Sequence, residues 1–220
     1  ILELAMPKLK ELLKELVPSK NTDKLLLEIF KSNTVIYPGL RNEVIDALVH
    51  RIDRLVDKTE AERNKALKGD YTASMLKDIP ALGRLLLEAV KAPLQEIETL
   101  LDKSDPVYTD ALQKVFKEVN YCGVLPFNKL MDKLNSASTS PVLMRAIVNK
   151  IDLNDILKLY SQSINNLSSI EIPEKDTILR NQAGIKKMKS NLVAAKSNLS
   201  SKTGNNNSAS EDDSLAWFWF

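Results

Sequence analysis

Apolar residues recur at three- and four-residue spacing along almost the whole chain, the period that gathers them on one face of an α-helix. Leu2, Met6, Leu9, Leu12, Leu13 and Leu16 form a first stripe, closed by Val17-Pro18. A shorter segment runs from Asn21 to Lys31. Pro38 opens a third, because a missing N–H is not needed in a first turn. There Val44, Ile45, Leu48, Val49, Ile52, Leu55 and Val56 face one way. Thr59 and Glu62 have capping-box spacing and predict a restart before Gly69.

A short amphipathic turn after Asp70 leads to the most apolar segment, Ile79 to Leu101. Leu82, Leu85, Leu86, Val90, Leu94, Ile97, Leu100 and Leu101 cover more than half its circumference, which predicts a central helix buried on more than one side. Pro93 should kink or split it. Ser104-Asp105-Pro106 begins the next helix, whose face is Ala111, Leu112, Val115, Phe116 and Val119 and which Gly123 stops. Pro126 starts another, and Asn135 to Ser140 reads as a loop. Pro141 to Ile151 and Asn154 to Leu167 follow, and Pro173 opens a last long helix, Asp176 to about Ser200. With no strand pattern anywhere, the chain reads as all-α: an irregular bundle or short α-solenoid of about ten helices.

The last helix departs from the others. Ile178, Ile185, Leu192 and Leu199 repeat every seven residues, with Met188 at an intervening position and Asn181 as the polar exception. About three heptads are the least that supports a coiled-coil seam, so this helix is expected to pack on the body or to join two copies through residues 178–199. Between Pro173 and Lys202 it carries seven basic residues against two acidic ones, Glu174 and Asp176. The division that follows is a helical body over 1–172, an amphipathic basic helix over 173–200, a flexible linker over 201–210 and a peptide over 211–220. The linker reading rests on the Gly/Asn/Ser run, which has too little to bury.

Composition narrows the function by what it lacks. A net charge of +2 gives no global field toward nucleic acid, and the basic helix has no interleaved aromatic residues for base stacking, so nucleic acid is disfavoured. The six glycines are isolated from one another, so no loop presents clustered backbone N–H groups to a phosphate. One histidine, His50, and one cysteine, Cys122, cannot build a His/Cys metal site. His50 falls on a polar side, and Cys122 reads as a packed thiol. Asp152-Leu153-Asn154-Asp155 resembles the start of a calcium loop but lacks its glycine and closing glutamate, so it reads as a helix cap. No catalytic, cofactor-binding or metal-ligating residue is assigned. No apolar run approaches the ~20 residues that span a bilayer, and the expected compartment is the cytoplasm, with the nucleus open.

What remains is the end of the sequence. The chain has five Phe, five Tyr and two Trp, and its last four positions hold two of the Phe and both Trp. Four such side chains present roughly 600–1,000 Å² of largely apolar surface, more than a monomer usually leaves in water. Behind them stand Glu211, Asp212 and Asp213. Asp212, Asp213, Trp217, Phe218, Trp219 and Phe220 therefore form the candidate site. Acidic residues favour encounter with a basic groove, and aromatic anchors fill pockets in it. The expected function is a non-enzymatic protein–protein interaction module, an adaptor or scaffold whose partner is another protein. The alternative is a membrane-peripheral or membrane-anchored domain whose aromatics contact, or begin, a membrane segment.

Overall fold

The structure is a computed structural model and describes residues 2–18, 21–168, 170 and 172–201. Among these residues there are eight α-helices and no strand: α1 (Leu2–Leu16), α2 (Thr22–Phe30), α3 (Ile36–Ala66), α4 (Met75–Leu100), α5 (Pro106–Ala137), α6 (Pro141–Val148), α7 (Asn154–Asn166) and α8 (Pro173–Ser201). Helix starts follow local chemistry. The Asn21 side chain accepts from the N–H groups of Asp23 and Lys24 to open α2. Asp105 accepts from Val107 N–H with Pro106 in the first turn of α5, and Ser140 accepts from Leu143 N–H ahead of α6.

Eight helices rather than ten is a correction, and it has two sources. At Thr59 the expected restart does not occur, because the hydroxyl donates to the Leu55 carbonyl inside a continuous α3. At Gly123 and Pro126 the expected stop and start do not occur either, and α5 runs unbroken for 32 residues to Ala137, into the loop expected from Asn135. Packing decides this. A Cβ on Gly123 would lie 2.5 Å from Cζ of Tyr160 on α7, so the residue that looks like a helix stop is the one that lets α7 lie against α5. Gly83 serves the same end on α4, where a Cβ would meet Cys122 and Leu159 at 3.0 Å. Helix α4 also passes through Pro80 and Pro93 as one element, and it takes in the short turn expected before it.

Helices α3, α4 and α5 pack on one another, and α7 lies across α4 and α5. Helices α1 and α2 flank α3, and α8 closes over α5, α6 and α7. Helix α5 touches α3, α4, α6, α7 and α8, so more helices meet on it than on any other element. Leu86, Val90 and Ile97 of α4 are buried there, as the apolar spacing predicts. Leu85 is not: it is 66% exposed, so α4 is covered on fewer sides than its apolar residues suggest.

Candidate functional site

The acidic-aromatic residues Asp212, Asp213, Trp217, Phe218, Trp219 and Phe220 lie outside the described residues. The stripe expected to form a seam is placed. Ile178, Ile185 and Leu192 are buried and Met188 is half-buried, all within the core of the same chain, while the Leu199 side chain lies outside the description. Through this stripe α8 packs on α5, α6 and α7. A second copy approaching residues 178–199 would meet the other side of the helix, where Leu179 and Val193 are exposed. The polar exception has a partner as well. Asn181 donates to Asn120 Oδ1 at 2.8 Å, and the buried Tyr160 hydroxyl donates to the same oxygen at 3.3 Å, so one asparagine ties α5, α7 and α8.

At the centre stands a charged cluster that the sequence reading missed. Arg63 of α3 and Glu118 of α5 are each 4% exposed and joined by two parallel bonds, Nε to Oε1 at 2.6 Å and Nη2 to Oε2 at 3.0 Å. The guanidinium also donates to Asn64 Oδ1 and lies 5.4 Å from the centre of the Tyr121 ring. Burial works against the Arg63 charge, but the hydrogen bonds and charge of Glu118 hold its pKa above the ordinary value. The Cys122 thiol is buried 3.6 Å from Glu118 Oε1; burial foremost, then the Glu118 charge, pushes its pKa up. A thiol kept protonated and away from solvent is not a nucleophile. This cluster holds helices together. Glu118 is thus a carboxylate on an apolar face of α5. The signal was available, since Ala111, Val115, Glu118 and Cys122 follow one helical stripe, as do Ile52, Val56, Thr59 and Arg63.

His50 is exposed, and its backbone carbonyl accepts from Arg54. Asp152 accepts from the Asn154 N–H at the start of α7, and Asp155 pairs with Arg84 at 3.1 Å, so this acidic run serves a helix start and an interhelical ion pair. Among the described residues no group of three His, Cys, Asp or Glu side chains is arranged to hold a metal ion, and no helix is long and apolar enough to cross a membrane.

A groove opens on the surface between the α6–α7 connection (Ile151, Asp152 and Leu153) and one side of α8 (Lys189, Leu192, Val193 and Lys196). Its volume is about 330 Å³, at the small end of ligand pockets. Ile151, Leu153 and Leu192 are buried and form the floor, whereas Val193 on the rim is 61% exposed. Lys189 donates to Asn154 Oδ1 at 2.7 Å, and Lys196 donates to the Ile151 carbonyl at 3.2 Å. Apolar below and basic at the rim, the groove suits an acidic ligand with an apolar side chain. Compared with known proteins, the chain matches no family model, no curated protein and no solved structure.

Proposed function

We propose that this chain is a non-enzymatic protein–protein interaction module, an adaptor or scaffold of the cytoplasm, in which a helical body carries a binding peptide at residues 211–220. The observation that carries the reading is the placement of both tryptophans and two phenylalanines directly after Glu211-Asp212-Asp213. Tryptophan is among the residues most enriched at binding hot spots, and flanking acids speed encounter with a basic groove. The interior of the body supports the same reading, because its buried polar groups at Arg63, Glu118 and Asn120 are used in holding helices to one another.

The experiment is capture of a protein partner by the full chain and by the Trp217→Ala/Trp219→Ala chain. Two buried anchors of this size contribute about 2–4 kcal/mol each, so the double substitution should weaken binding at least about a hundredfold. An effect below about threefold removes the proposal. Vesicles of neutral lipid supply the contrast: a change in tryptophan emission on adding them, with no protein captured, favours the membrane-peripheral alternative.

A further inference from the structure

We propose that the groove between the α6–α7 connection and α8 is the docking site of the chain's own residues 211–220. The inference rests on reading that segment as a binding peptide and adds where it is held when no partner is present.

Charge supplies the first argument. From Gly184 to Ser201, α8 carries Lys186, Lys187, Lys189 and Lys196 and no acidic residue. From Thr203 to Phe220 the chain carries Glu211, Asp212 and Asp213 and no basic residue. The two stretches adjoin in sequence and are opposite in sign, which draws the peptide back along the helix it follows. Lys189 and Lys196 stand at the groove, held at its rim by Asn154 and by the Ile151 carbonyl. The single acid of the groove, Asp152, has one oxygen turned to the Asn154 N–H.

Reach supplies the second. Lys196 and Lys189 precede Ser201 by five and twelve residues, or roughly 8 and 18 Å at the rise of an α-helix. Residues 202–210 include the Gly/Asn/Ser run, and nine such residues span roughly 15–18 Å on average. A chain that turns back over this distance sets Glu211, Asp212 and Asp213 beside the two lysines and leaves the aromatic residues within reach of Val193 and Leu192. Shape is the third. A groove of about 330 Å³ with a floor of Ile151, Leu153 and Leu192 takes one aromatic side chain rather than four, and Val193 offers a second an exposed apolar ledge.

A tether of this length raises the local concentration of the peptide to the order of 1 mM. A groove with an intrinsic dissociation constant near 0.1 mM is then filled in about nine molecules of ten, and a partner that needs the same peptide binds about tenfold more weakly than to a free one. Docking makes the body a brake on its own motif.

Both tryptophans lie in the peptide, so the emission of the full chain reports on it alone. Docking predicts blue-shifted emission, protected from acrylamide, that is the same at micromolar concentration and after tenfold dilution. Val193→Asp should shift it to the red and expose it to acrylamide. So should Lys189→Glu combined with Lys196→Glu, and the helical circular dichroism should hold in both. Val193 is exposed, so its substitution leaves the fold intact and the test stands even if the lysine pair perturbs the helix. Red-shifted, quencher-accessible emission in the unaltered chain overturns the proposal. A blue shift that Val193→Asp leaves in place overturns it too, as does one lost on dilution, which would mean contact with a second copy. Partner capture is read separately, so a free peptide that still captures its partner removes the groove and not the interaction function.

Discussion

Two helices of similar length, α5 with 32 residues and α8 with 29, meet the rest of the molecule in different ways. Helix α5 is held from several sides: it touches five other helices and buries a glutamate, an asparagine, a cysteine, a glycine and a proline along with its apolar residues. Helix α8 is docked along one stripe, Ile178, Ile185 and Leu192, and leaves Lys186, Lys187 and Val193 exposed. A helix packed against five neighbours takes its boundaries from them, and its local stop signals lose authority. A helix docked on one side keeps a plain periodicity, and its free side remains available for other contacts.

The largest effect that tests this contrast is at Glu118. Replacing it by Ala strands the Arg63 guanidinium in the interior and should cost about 3–5 kcal/mol in denaturant unfolding. Exchanging both residues for apolar ones of similar volume, as Arg63→Met with Glu118→Leu, should restore most of it. A loss under about 1 kcal/mol for the single change would mean that α5 is not enclosed at that point.

An intermediate effect comes with alkaline pH. Burial raises the folded-state pKa of Cys122 on α5 and of Tyr160 packed against it above their ordinary values of 9.0 and 10.0. The unfolded chain therefore releases these protons first. Stability is full below about pH 9 and falls above it, by up to about 1.4 kcal/mol per group for each pH unit. Thermal melts between pH 8 and pH 11 should show the fall, and Cys122→Ala with Tyr160→Phe should flatten it. A profile that the double substitution leaves unchanged would assign the fall to other groups.

The smallest effect belongs to α8. Asn181→Ala removes one bond to Asn120 Oδ1, but the Tyr160 hydroxyl still reaches that oxygen, so nothing is left without a partner. The expected cost is about 1 kcal/mol by urea unfolding. A cost near that of Glu118→Ala would show α8 to be as enclosed as α5.

The same contrast explains what could be read in advance. The buried face of α4 at Leu86, Val90 and Ile97, the helix starts near Asn21 and Asp105 and the stripe on α8 all rest on residues within a few positions of one another, which is the range over which spacing is informative. The continuity of α5 was not legible, because the role of Gly123 depends on Tyr160, 37 positions further along the chain. Glu118 needed Arg63, 55 residues away, before its place on an apolar stripe made sense. The acidic-aromatic residues 211–220 are a feature of composition and lie outside the described residues. The groove was not legible, since Ile151 and Val193 come together only once α6, α7 and α8 have packed.

The burial of Cys122 gives the protein a built-in clock. It is the only cysteine in the chain, it is 0% exposed, and its Cβ packs where Gly83 lets α4 press against α5. A thiol reagent reaches it only after these two helices part, and it leaves a permanent mark on each molecule that has opened. At high reagent concentration the labelling rate is the rate of opening, and at low concentration it scales with the population of the open state. The centre of the fold can thus be timed without introducing a probe.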